Sequence, residues 1–187
     1  MLIQTHRKVA KLVHAYMFEK YAFELNLKEL LYGSVKPDFS WEKREYPHYY
    51  NESIHYFTRE LGSLANDRRY LDIGDFSNGL GKILHFTADY LCQAHNNGEI
   101  RHSKLSHINY EIALHREFRI FDPKADDQHL ICGHAYKQPL SIVQDMRKKY
   151  LLSSPGVNND ISYIMAASAA LTENLAKRIF RPLSVVA

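Results

Sequence analysis

The chain has 187 residues and a formal net charge of +3. That length suits one domain with a real core, and so small a charge demands neither a nucleic-acid nor a membrane partner. Its two cysteines, Cys92 and Cys132, are too few for a disulfide framework, which points to a reducing compartment.

Apolar residues recur at helical spacing along the whole chain, and no segment alternates convincingly at period two. The first predicted helix runs from Thr5, a candidate cap, with Val9, Leu12, Val13, Tyr16 and Met17 on one face. A short second helix ends at Gly33, and residues 34–50, with Pro37 and Pro47, read as a loop. A third helix starts at Asn51 as N-cap. A long apolar helix follows over 75–95, stopped by Asn96, Asn97 and Gly98. The next covers 103–121, and an Asp-rich loop follows it. Pro139 opens another, and the last runs from 160 to 180. The expectation is an all-α, single-domain multi-helix bundle. Bundles of this kind build metal sites from side chains on facing helices.

The first sixteen residues carry no charged-then-apolar leader, and the longest apolar run, residues 163–171, is far short of a membrane span. A cytoplasmic protein without a transmembrane segment is expected.

Histidine is the compositional outlier, with 11 residues, and its spacing carries the chemistry. His85 and Asp89 stand four apart, as do His107 and Glu111. On a helix each pair presents a nitrogen and an oxygen to one point, which is ligand chemistry for zinc. His95, falling where the long helix is expected to stop, can be turned toward the same place. Asp38 and His48 in the loop, and His6 at the start of the first helix, bring the set to eight residues on at least four segments. As mere helix-stabilising pairs, the two i,i+4 couples would contribute only about 0.2–0.5 kcal/mol each. On so apolar a helix, unpaired charge would be costly.

Together these pieces resemble the zinc-dependent phospholipase C family, whose relatives include single-strand nucleases of the same helical fold. The resemblance is carried by His6 in "THRKVA", by "GSVKPDF", by His48, and most strongly by His85, Asp89 and His95 followed by His107 and Glu111. It implies one zinc ion held by Asp38, His48, His85 and Asp89 and a second by His95, His107 and Glu111. A third would be held by His6 and a bridging Asp89. It further implies attack of metal-activated water on phosphorus, with Asp38 as both ligand and general base. The implied substrate is a phosphodiester, with phospholipid one candidate. A nuclease on the same metals and a non-catalytic metal-binding regulatory domain are the alternatives. No stable nucleic-acid partner is expected, because Lys and Arg are spread without a dense cluster. The chain departs from the family at one point. Relatives complete the third site with the amino group of an N-terminal tryptophan, whereas this chain begins Met1-Leu2 and its single tryptophan is Trp41. Two or three zinc ions are therefore expected.

Overall fold

The computed structural model describes residues 1–39, 47–98, 100, 103–122 and 138–180. Among them there is no strand, and the architecture is all-α. The helices are α1 (Ile3–Tyr21), α2 (Leu27–Gly33), α3 (Lys36–Phe39), α4 (Tyr50–Asn66), α5 (Ile73–Tyr90), α6 (Gln93–Asn96), α7 (Lys104–Ile120), α8 (Pro139–Leu152) and α9 (Val157–Ile179). A single 3₁₀ turn, Arg68–Leu71, precedes α5.

Helix α5 is the centre of the bundle. Asp72 caps it, accepting from the Asp75 N–H, and every residue from Ile83 to Tyr90 is buried. Its neighbours are α1, α2, α4 and α9. The approach of α2 is unusually close because both helices present glycine at the crossing. A Cβ at Gly33 would lie 2.0 Å from the Asn78 carbonyl oxygen, and one at Gly81 would lie 2.4 Å from the Leu30 carbonyl oxygen. Helix α9 closes the other side with a run of small buried residues, Ala166 to Ala170. Val9, Val13 and Met17 of α1 are fully buried, as their spacing implies, while Leu12 and Tyr16 are partly so.

Four sequence expectations are corrected in detail. Helix α1 begins at Ile3, so Thr5 is not its cap; its buried hydroxyl meets His115 Nδ1 at 3.1 Å. Asn51 lies inside α4, whose N-cap is Tyr49. Residues 34–50 are not loop throughout, because Pro37 sits in the short helix α3. The long apolar helix stops at Tyr90, not at Asn96: Cys92 takes an extended conformation and α6 starts afresh in a new direction. Tyr46, His102, His129, His134, Trp41 and Cys132 lie outside the described residues. No described helix is long and apolar enough to cross a membrane.

Candidate metal centre

The eight residues singled out by spacing come from six places in the fold and meet in one cluster. His6 is on the first turns of α1, Asp38 on α3, and His48 just before α4. His85 and Asp89 are on α5, His95 on α6, and His107 and Glu111 on α7. Three groups have ligand atoms all within 4.8 Å of one another: His6 with His85 and Asp89; Asp38 with His48 and His85; and His95 with His107 and Glu111.

Asp89 is the hub and is fully buried. Its Oδ2 lies 3.0 Å from His48 Nδ1 and 3.3 Å from His85 Nε2. Its Oδ1 lies 3.4 Å from His6 Nε2 and 3.5 Å from His95 Nε2. Glu111 Oε1 is 2.9 Å from His107 Nε2 and 3.5 Å from His95 Nε2. Two ligands about 2.0–2.1 Å from a tetrahedral zinc ion lie roughly 3.3 Å apart, which is the spacing of most of these pairs.

The hydrogen-bonding pattern also fits a metal. His6 Nδ1 and Nε2, Asp38 Oδ2, His48 Nε2, Asp89 Oδ2 and His95 Nδ1 are buried with no hydrogen-bond partner among the described residues. Buried polar atoms are normally paired, and so many orphans in one place need a cation or a ligand to account for them. His85 shows the supporting arrangement most clearly. Its Nδ1 lies 2.9 Å from the Ser34 carbonyl oxygen, a bond that puts the ring proton on Nδ1 and leaves the Nε2 lone pair facing the cluster. Because Nδ1 is committed, Nε2 must choose between the His6 side and the Asp38–His48 side. The close α2–α5 crossing at Gly33 and Gly81 is what brings the Ser34 carbonyl to the ring.

The structure also places the first amino group of the chain in this cluster. Met1 N is 2.8 Å from Asp89 Oδ1, 3.0 Å from His95 Nε2 and 3.1 Å from Glu111 Oε1. Sequence reasoning missed it, because spacing rules search side chains and this donor belongs to the backbone. It stands at the point where the departure from the family had left a ligand wanting.

Electrostatically the cluster is strongly coupled. Burial works against the Met1 ammonium, yet Asp89 and then Glu111 push its pKa up to about 11. Burial would raise Asp89, but the Met1 amine, His95 and His6 hold it well below the ordinary carboxylate range. Glu111 is brought down to about 2 by His95 and the Met1 amine against its burial. His6 is lowered well below its usual value by burial and then by His85, and His95 by burial and the Met1 amine. Neutral imidazoles and ionised carboxylates are the forms that bind metal.

A cavity of about 330 Å³ opens onto the cluster. Met1, Asp38, His48, His95, His107 and Glu111 reach it, with Pro47 and Tyr49 on its wall. His6, His85 and Asp89 stay behind this surface. Of the tyrosines in the loop, Tyr50 packs on Tyr90 and under Arg147 and does not line the cavity. His14 is half-buried on α1 and His55 is exposed, and neither joins the cluster.

The model of the zinc-dependent phospholipase C family matches residues 5–154. The chain belongs to the zinc-dependent phospholipase C family. The match takes in every one of the eight residues above and stops before α9. No curated protein and no solved structure matches the chain. Membership of this family makes an enzyme that uses zinc the coarse reading of the chain, and it agrees with the all-α fold.

Proposed function

We propose that this protein is a zinc-dependent phosphodiester hydrolase acting on a phospholipid-type diester. Asp38, His48, His85 and Asp89 hold one ion, and His95, His107 and Glu111 hold a second. His6 and Asp89 hold a third together with the Met1 amine, which must lose its proton to serve. Bound zinc at these positions supplies positive charge for a phosphate and lowers the pKa of water toward about 7.

The remaining work falls to the chain. Asp38 takes the proton of the attacking water on Oδ2, the buried oxygen that no described group bonds. The Ser34 carbonyl fixes the tautomer of His85. His107 and Glu111 present one face of α7 to the cavity, where the phosphate enters. Among the described residues that line the cavity none is Lys or Arg, so the negative charge of a diester is met by the metal positions. Phe39, next to Asp38 in the chain, is 74% exposed and offers an apolar contact suited to a lipid substrate.

The observation that carries the proposal is the meeting of three ligand groups around one buried carboxylate at the floor of an open cavity. Structural zinc sites are closed, while catalytic ones keep a position open. The test is hydrolysis of three substrates by the zinc-loaded protein: mixed micelles of a phosphatidylcholine, a soluble chromogenic phosphodiester and single-stranded DNA. Chelator-sensitive release of phosphocholine, faster than cleavage of DNA, is expected. Cleavage of DNA alone, falling steeply with salt, would instead identify a nuclease.

A further inference from the structure

The described chain buries one more carboxylate outside the cluster. Asp160, on the first turn of α9, has no exposed surface, and none of the ion pairs among the described residues involves it. Its oxygens are nonetheless well used. Oδ1 accepts from the Tyr150 hydroxyl at 2.8 Å. Oδ2 accepts twice, from the Gln93 backbone N–H at 2.9 Å and from the Tyr110 hydroxyl at 2.9 Å. An anion buried without a cation is costly, and burial, against the hydrogen bonds that Gln93, Tyr150 and Tyr110 donate, pushes this group up to about 6. A residue kept only for packing would not be charged.

What the two donors on Oδ2 have in common is their position. Gln93 opens α6, the four-residue helix that carries His95 two positions later. Tyr110 is on α7, between His107 and Glu111. A helix of four residues cannot hold its own shape, so His95 depends on what grips that turn. The Asn96 side chain clasps the Tyr90 and Cys92 carbonyls, and Arg147 in turn donates to Asn96. Those contacts hold the turn to α5 and α8. Away from the ligand atoms themselves, Asp160 Oδ2 ties the turn to α7, since it accepts from both.

We infer that Asp160 is a positioning residue, which sets the separation of His95 from His107 and Glu111 by accepting from Gln93 and Tyr110 on a single oxygen. The inference rests on the reading that those three residues hold a metal ion. It assigns a role to α9, which lies beyond the part of the chain that the family model matches.

The two tyrosines supply the test, since each makes one hydrogen bond to the same carboxylate. The full chain is loaded with cobalt(II), and the visible spectrum and metal affinity are read by chelator competition. Wild type is compared with Tyr110→Phe, Tyr150→Phe, Asp160→Ala and Asp160→Asn, and His107→Ala identifies which ion belongs to this group. Tyr110→Phe and Asp160→Ala are expected to weaken that ion by about tenfold or more, the range seen when a group supporting a ligand is lost, and to perturb its spectrum. Tyr150→Phe is expected to leave that ion in place although its melting temperature also falls. Asp160→Asn, which can still accept from Gln93, is expected to retain more of the ion than Asp160→Ala. Equal weakening by the two tyrosine variants, or none by either, would overturn the positioning role alone. If His107→Ala holds as many ions as wild type, the metal reading fails and takes this inference with it.

Discussion

The Met1 amine gives the cluster a pH signature that can be worked out in advance. In metal-free protein beginning at Met1, the ammonium sits between Asp89 at 2.8 Å and Glu111 at 3.1 Å. Asp89 and Glu111, against burial, lift its pKa from 8.0 to about 11. The folded value lies above the unfolded one, so the stabilisation is fully present below pH 8 and is lost as pH rises through 11. Over that interval it amounts to about 4 kcal/mol, at 1.36 kcal/mol per pH unit. Chelated wild-type protein should therefore lose about 3 kcal/mol of this term between pH 7 and pH 10, read as the urea midpoint at each pH. Asp89→Asn removes the nearer anion and leaves Glu111 alone. It should start about 3–5 kcal/mol lower at pH 7 and fall less steeply. Zinc-loaded protein should show no such decline, because a bound metal requires the neutral amine. A flat wild-type profile over this range, or an Asp89→Asn profile of the same slope, would show that the Met1 ammonium is not held by these carboxylates.

Other consequences follow from single contacts. Asp38→Asn should lower turnover at least about 100-fold, the lower range for a general base, while metal content measured by elemental analysis stays near wild type; equal loss of both would make Asp38 a ligand only. Gly81→Ala puts a Cβ 2.4 Å from the Leu30 carbonyl oxygen and 2.6 Å from Ser34 N. Forcing α2 off α5 should cost about 1–3 kcal/mol and free His85 Nδ1 from Ser34, so both melting temperature and zinc affinity should drop; an unchanged melting temperature would show that the crossing is not tight. Asp160, with a folded value of about 6 against an ordinary 3.8, stabilises the fold below pH 3.8 and loses that contribution as pH rises through 6. Asp160→Asn should then be up to about 3 kcal/mol more stable than wild type at pH 7.5, with the gap narrowing at pH 4.5. A variant less stable than wild type at pH 7.5 would contradict this.

Much of the site was legible in the sequence because helical spacing is geometry. His85 with Asp89, and His107 with Glu111, fall on one face wherever a helix forms, and both pairs do meet in the cluster. His95 was legible only in part. The expected stop at Asn96 would have left it on the end of α5, but the actual break at Cys92 is what turns it in, and no glycine or proline marks that break. The turn after it, too short to fold alone, is held by the Asn96 side chain on Tyr90 and Cys92 and by Asp160 on Gln93, contacts that no spacing rule reveals. Thr5 and Asn51 had the right chemistry for caps worth about 1 kcal/mol, yet the helices begin earlier, after Leu2 and Tyr49, neither of which makes a side-chain capping bond. The Met1 amine and the Ser34 carbonyl are backbone groups, whose positions only the assembled fold supplies.

If the ligand groups hold zinc, hydrolysis should depend on it. Zinc per chain is counted by elemental analysis, while hydrolysis of a chromogenic phosphodiester is followed before chelation, after it, and on return of zinc. Three equivalents are expected in wild type, one fewer in His107→Ala, and activity that disappears and returns with the metal. A chain that takes up no zinc, or one that hydrolyses the ester equally well without it, would rule out a zinc-dependent hydrolase.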